Sequence, residues 1–386
     1  MKRTFITTMF FLALGAGVAA AQEPPTGGEG TTDETTPPPD GPDLTPGPAP
    51  ETTPPPAAQA DDAGGLRLGD QGHLEIHGLL QVWFIQSFDD NEHDGGGPKT
   101  NFRIRRTEIK LAGRIIPKVE FEVQVDPSRS LDGNETNRAI LQDASITFGH
   151  LDKAKITLGQ GHTPISFEGL RSASKLLFIE RAIVSGTFGD QRDIGVWAHE
   201  KIGKIGYVIG IFNGSGASKP DPLKDLDLAA RLELHASDDL QISGSVLRTL
   251  NGDKPGVHTI AGGDVAYEHG GTIAQAEFYW GKFNSFDAMP VAVTSMGAYA
   301  AAGYTFTQIA GHDLQGAARF DWFDPNTDAD KDQIIKGTGG LNLFLDGHHA
   351  KLQLNFTHTQ RKADNGMGTL VDANNNVVLL NGQIAF

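Results

Sequence analysis

His73, Glu75 and His77 stand two residues apart, so on a strand they share one face, and imidazoles flanking a carboxylate are a donor set for a divalent metal. His348-His349 is a second imidazole pair. Neither comes with the other parts an enzyme needs. The 386 residues contain no Gly-x-Ser-x-Gly elbow, no Gly-x-x-x-x-Gly-Lys loop, no Gly-x-Gly-x-x-Gly, no His-Glu-x-x-His and no cysteine. No Ser/His pair stands out as nucleophile and base. The expectation is a non-enzyme with no cofactor and no metal, the His73, Glu75 and His77 cluster solvated and His348-His349 at the surface in a turn.

The other chemistry on offer is cationic. Arg106 and Lys110 share an alternating run. Arg171, Lys175, Arg181 and Arg192 lie in one long connection, and Arg231 and Arg319 in later runs. Guanidinium and ammonium groups set around a water-filled passage steer anions and select among solutes. Set on neighbouring strands they can instead pair with the carboxylates beside them. The choice depends on the elements that carry them.

The chain joins two kinds of polymer. Residues 22–65 hold 12 of the 21 prolines, nine acids, no Lys or Arg and no aromatic, whereas residues 66–386 hold 27 of the 30 aromatics and 39 of the 48 glycines. Ahead of both, Lys2 and Arg3, the apolar run Met9 to Val18 and Ala19-Ala20-Ala21 read as a secretory signal cleaved before Gln22. That run is too short for a membrane helix. Residues 22–65 cannot bury enough apolar surface to order themselves and are expected to be a disordered, extended linker. A net charge of −16 excludes a general nucleic-acid binder, which needs a basic face.

From Leu66 onward the dominant period is two. Val119-Glu120-Phe121-Glu122-Val123-Gln124-Val125 and Lys351-Leu352-Gln353-Leu354-Asn355-Phe356-Thr357 alternate apolar with polar. Sixteen such runs are expected, at 74–88, 102–115, 119–125, 139–148, 154–160, 193–200, 205–212, 227–234, 240–250, 258–267, 272–283, 296–305, 312–323, 334–345, 350–361 and 376–386. Their connections alternate long and short without exception. Lipid supplies no hydrogen-bond partners, so a sheet crosses it only as a closed tube, apolar outside and wet inside. The pattern therefore predicts an all-β fold: a closed antiparallel transmembrane β-barrel of about sixteen strands over 66–386, with long extracellular loops and short periplasmic turns, in the outer membrane of a Gram-negative bacterium. Phe88, Trp280, Phe283, Trp322 and Phe323 are expected in a girdle at the long-loop rim, and Phe148, Tyr267, Tyr304 and Phe306 at the other. Sixteen strands leave an aqueous passage. The longest connection, Gly161 to Arg192, is too apolar for a solvated tip and is expected to fold inward and narrow the barrel. Its charges sum to +1 within residues 66–386 that sum to −9, a mild anion bias.

Phe102-Arg103-Ile104-Arg105-Arg106 with Gly113, then Gln142-Asp143-Ala144, Leu158-Gly159-Gln160-Gly161-His162-Thr163-Pro164-Ile165-Ser166, Arg192 with Gly195-Val196, and Gly210-Ile211-Phe212-Asn213-Gly214 together resemble the phosphate-selective porin family, the O and P type. The resemblance implies a sixteen-stranded channel, usually homotrimeric, passing phosphate or other anions and small solutes past an infolded loop. It implies a cationic lining, of which Arg105, Arg106 and Lys110 fall on a matching motif, with strand parity placing Arg105 on the outer face. Its partners would be outer-membrane lipid and small solutes, not nucleic acid. The alternative is a structural anchor whose Pro-rich arm contacts the cell wall or a partner.

Overall fold

The computed structural model describes residues 65–88, 99–130, 139–219, 226–250, 256–284, 292–364, 370–372 and 374–386. The expected signal and nearly all of the expected linker lie outside them, as do parts of the long loops. Sixteen strands form the wall: β1 Gly72–Ser87, β2 Lys99–Ile116, β3 Val119–Val125, β4 Leu141–Leu151, β5 Ala154–His162, β6 Arg192–Ile202, β7 Ile205–Phe212, β8 Asp227–His235, β9 Leu240–Thr249, β10 Gly256–His269, β11 Thr272–Asn284, β12 Ala292–Ile309, β13 His312–Asp324, β14 Ile334–Asp346, β15 Ala350–Gln360 and β16 Asn375–Ala385. Every expected run is a strand. Each pairs antiparallel with its neighbours in sequence, and β16 closes on β1 from Val377↔Ser87 to Ala385↔Leu79. Phe386 extends this seam by exchanging backbone hydrogen bonds with Gly78 at 3.0 and 3.1 Å. A short strand, Leu66–Leu68, pairs with the start of β1.

The outer face is apolar as a lipid-facing wall requires. Ile76, Leu80, Val82, Ile109, Leu232, Phe278, Leu341, Leu354 and Ile384 all stand exposed on it. Phe148, Tyr267, Tyr304 and Phe306 are exposed at the short-turn rim. Two of the expected upper girdle residues turn the other way. Phe323 is buried, and Phe283 packs with it against Phe188 of the long connection, with ring centroids 6.3 and 5.8 Å away. The inner surface at that height is covered by the infolded loop, so an inward aromatic gains an apolar partner there.

Gly159 in β5 is a point of close approach. Its φ is +135°, and a Cβ on it would lie 2.1 Å from the carbonyl oxygen of Ala144 on the facing strand. Gly159→Val is expected to cost about 1–3 kcal/mol from backbone strain alone. Semi-native gel electrophoresis should show a reduced fraction of folded, heat-modifiable protein.

Candidate functional site

The connection from β5 to β6 does fold into the barrel, and the inner wall holds it by its backbone. A loop crossing a lumen has no sheet neighbour, so its amides and carbonyls need side-chain partners. Tyr279 Oη accepts from Ser166 N at 3.1 Å, Asn355 Oδ1 from Ile179 N at 2.8 Å and Asp321 Oδ1 from Ile183 N at 3.0 Å. Lys351 Nζ donates to Leu176 O at 3.1 Å, Asn342 Nδ2 to Leu177 O at 2.9 Å and Arg319 Nη1 to Glu180 O at 2.8 Å. Gln383 Nε2 reaches Ser174 O at 3.1 Å. Ile165, Leu177, Phe178, Val184 and Phe188 then pack with Tyr279, Tyr299 and Phe323 as a core inside the tube. The loop lies mainly along the wall from β11 round to β16 and onto β1, where Gln81 Nε2 donates to Ala173 O at 3.4 Å and Leu79 packs with Ala173 and Leu176.

What it leaves open is a cavity of about 1540 Å³ bounded by the loop on one side and mainly by β1–β4 on the other. Of the cations singled out from sequence, Arg106, Lys110, Arg171, Lys175, Arg181 and Arg192 line it. Arg231 and Arg319 are buried and are not among its lining residues. Arg231 makes a two-pronged contact with Asp264 at 2.7 and 2.8 Å, and its Nε lies 2.8 Å from Glu233. Arg319 serves the loop: besides Glu180 O it bonds Asp321 at 2.9 Å and covers the Phe178 ring at 4.8 Å. Pairing across neighbouring strands describes Lys110, 2.7 Å from Glu122, whereas Arg231 pairs along its own strand with Glu233 and across two strands with Asp264.

Arg105 also lines the cavity, against the expectation from strand parity. The β1–β2 register slips between Gln81↔Arg106 and Val82↔Ile104, so Arg105 is an extra residue on β2. Such a bulge turns two successive side chains to one face. Arg105 Nε then meets Glu180 at 3.0 Å with its guanidinium 5.4 Å from the Trp83 ring, and Arg106 Nη2 lies 3.7 Å from the same carboxylate. The signal was present in the sequence: outward apolar residues fall on even numbers at Phe102 and Ile104 and on odd numbers at Ile109 and Leu111. Arg129 and Lys219, which no pattern singled out, complete a lining of nine Lys and Arg against six Asp and Glu.

Burial opposes ionisation of Glu180 and Asp190 on the loop, but neighbouring arginines win. Arg105 and Arg106 hold the Glu180 carboxyl below its ordinary value. Arg181 at 3.5 Å and Arg192 at 3.9 Å pull Asp190 down to about 2. Glu168 is the reverse case. Burial pushes it up despite Arg319 at 3.8 Å and a 2.7 Å hydrogen bond from Ala182 N. Arg181 is committed to the loop's own fold, donating to the carbonyls of Glu168 at 3.0 Å and Arg171 at 2.7 Å. The passage thus presents fixed charges of both signs with a cationic excess, a transverse field able to sort small solutes. His73 and His77 both place Nε2 at 3.3 Å from Glu75, and no group of three His, Asp or Glu is placed to hold a metal among the described residues.

Residues 79–233 match the sequence model of the family described as phosphate-selective porin O and P, and the resembling motifs fall within that range. The fold matches solved outer-membrane structures. An anion-selective porin from Comamonas acidovorans is 11% identical with a TM-score of 0.59, covering 82% of this chain and 100% of its own. The outer membrane channel DcaP of Acinetobacter baumannii is 14% identical at 0.58, covering 83% and 99%. The trimer form of OmpT, an outer membrane protein of Vibrio cholerae, is 11% identical at 0.52, covering 82% and 100%. No curated protein sequence matches the chain.

Proposed function

We propose, from the premise that a barrel of porin architecture carries the phosphate-selective porin O and P sequence across residues 79–233, that this protein is an outer-membrane channel for passive diffusion of small solutes with a preference for anions. The observation that carries the reading is the cavity of about 1540 Å³ beside the loop, with nine cationic side chains against six carboxylates in its lining although residues 66–386 are net acidic. A tube that is apolar outside and charged inside has a membrane on one side and water on the other. Export through residues 1–21, insertion into the outer membrane of a Gram-negative cell and assembly as a homotrimer belong to the same proposal. The OmpT trimer supports the last by analogy of fold. Phosphate is one candidate among the anions.

Planar-bilayer recording of the purified chain tests it: discrete conductance steps are expected, and a sealed barrel would reject the reading. In a salt gradient the reversal potential should report anion preference. Lys175 lines the cavity and Arg171 does so with a 3.6 Å ion pair to Glu268 at the rim, so Arg171→Gln with Lys175→Gln should move the reversal potential toward cations while conductance stays within about twofold. An unmoved reversal potential would take both residues out of the selectivity mechanism. Arg181 is left in place because it supports the loop.

A further inference from the structure

A lipid-facing wall is built from apolar side chains, and a charge among them needs a reason. Arg248 on β9 and Lys282 on β11 are both exposed near the long-loop ends of their strands, and neither lines the passage. Arg248 shares its face with Val246 and Leu250, which are exposed on the outside of the barrel. Lys282 shares its face with Phe278, also exposed, and with Trp280. The two cations therefore stand at the upper edge of the apolar belt, where an aromatic such as Trp280 marks the level of the lipid headgroups.

The register sets them in one row. Leu228, Arg248, Thr259, Lys282 and Thr294 lie opposite one another in turn from β8 to β12. Adjacent strands are about 4.8 Å apart, so two strand steps separate the cations by about 10 Å at the backbone, within the reach of both side chains toward one anion. Thr259, between them, steadies the arginine, whose Nη1 donates to its Oγ1 at 2.6 Å. The other guanidinium N–H groups still need acceptors. The row contains no Asp or Glu, and neither cation is in an ion pair among the described residues. On the inner wall, by contrast, Arg231 has Asp264 and Arg192 has Asp143.

Below the row the outer surface is hollowed. Gly244 and Gly263 face each other there, flanked by Leu232 on β8 and Phe278 on β11, both exposed. Beyond Gly244 a Cβ would find only the carbonyl oxygen of Gly262, at 3.7 Å. Cations without partners are costly beside hydrocarbon, and the anion available at that depth is the headgroup of a lipid. Resting on the outer-membrane reading above, we propose that Arg248 and Lys282 clamp the phosphate of a phosphorylated lipid in the outer leaflet, whose acyl chain lies in the hollow over Gly244 and Gly263. The arginine supplies directed donors and the lysine a point charge, which together suit a phosphate group.

Native mass spectrometry of the detergent-released barrel tests this with diphosphorylated lipid A as the probe. The parent chain should retain the lipid. Arg248→Gln with Lys282→Gln should weaken retention by about tenfold or more, the loss expected when two charge-assisted contacts go. The exchange Arg248→Lys with Lys282→Arg keeps both charges and should keep the lipid. Both variants should migrate on semi-native gels like the parent, because both side chains are exposed. Lipid A stripped of its phosphates should not distinguish the parent from the double Gln variant. Equal retention of the phosphorylated lipid by those two chains overturns the inference. So does its displacement by equimolar inorganic phosphate, which assigns the cations to a free anion. Bilayer conductance of the double Gln variant should match the parent, so the channel reading stands or falls separately, and a parent chain that never inserts into a bilayer overturns both.

Discussion

Arg319→Ala should turn a steady channel into a noisy one with larger mean conductance. Arg319 is buried at 5 % exposure, bonded to Glu180 O at 2.8 Å and Asp321 at 2.9 Å, and sits 3.8 Å from Glu168. Removing it deletes one strap on the loop and also takes from two buried carboxylates, Glu168 and Asp321, the ion-pair partner they share. Stranding one partner of a buried ion pair costs about 3–5 kcal/mol, and the loop is the part free to move away. Single-channel recording should show frequent excursions to a higher level, since a bare sixteen-stranded wall encloses a wide aqueous channel. Adding Glu168→Gln and Asp321→Asn removes the stranded charges and should quiet the channel again, partly. A single variant indistinguishable from the parent would mean that Arg319 does not hold the loop.

Raising the pH should loosen the same loop through Glu168. Its amide N donates to Glu277 Oε1 at 2.7 Å, and Glu277 Oε2 is buried without a hydrogen-bond partner, so two carboxyl groups meet where loop and wall join. Burial lifts the Glu168 carboxyl above its ordinary value, so the docked loop retains a proton that a released loop would give up. Docking is then complete below the ordinary carboxylate value and weakens as the pH rises through the raised one. Glu180 and Asp190 have the opposite sign: their contribution is present above the ordinary value and is lost as the pH falls through the depressed one, about 2 for Asp190. Open-channel noise measured against pH should therefore climb as the pH rises through the raised Glu168 value. Glu168→Gln should flatten that rising limb and leave the acid limb unchanged, and an unaltered rising limb would remove Glu168 from the linkage.

The wall was legible in the sequence because its physics is local and repetitive. Lys351 to Thr357 alternates because one side meets lipid and the other does not, and the long–short rhythm of connections needs no knowledge of contacts. Arg105 shows the limit of counting parity from one end of a strand. The bulge inserts one residue, and only a comparison of the apolar phase before and after it, Phe102 and Ile104 against Ile109 and Leu111, reveals the inward turn. The inward polar residues were harder. Asn342, Asn355 and Lys351 carry the same alternation as Glu108 and Glu122, yet the first three hold the loop and the last two face the passage. That division follows from the route the loop takes, which no strand sequence encodes by itself. Phe283 and Phe323 turn inward for the same reason.

Because the loop is plastered mainly along β11–β16, the channel is used as a half-pipe. A travelling molecule slides along β1–β4 on one flank and along the loop on the other, off the axis of the tube. Substitutions around the circumference will consequently fall into two kinds. Those on one half alter what passes, and those on the other alter whether the shape of the passage holds still.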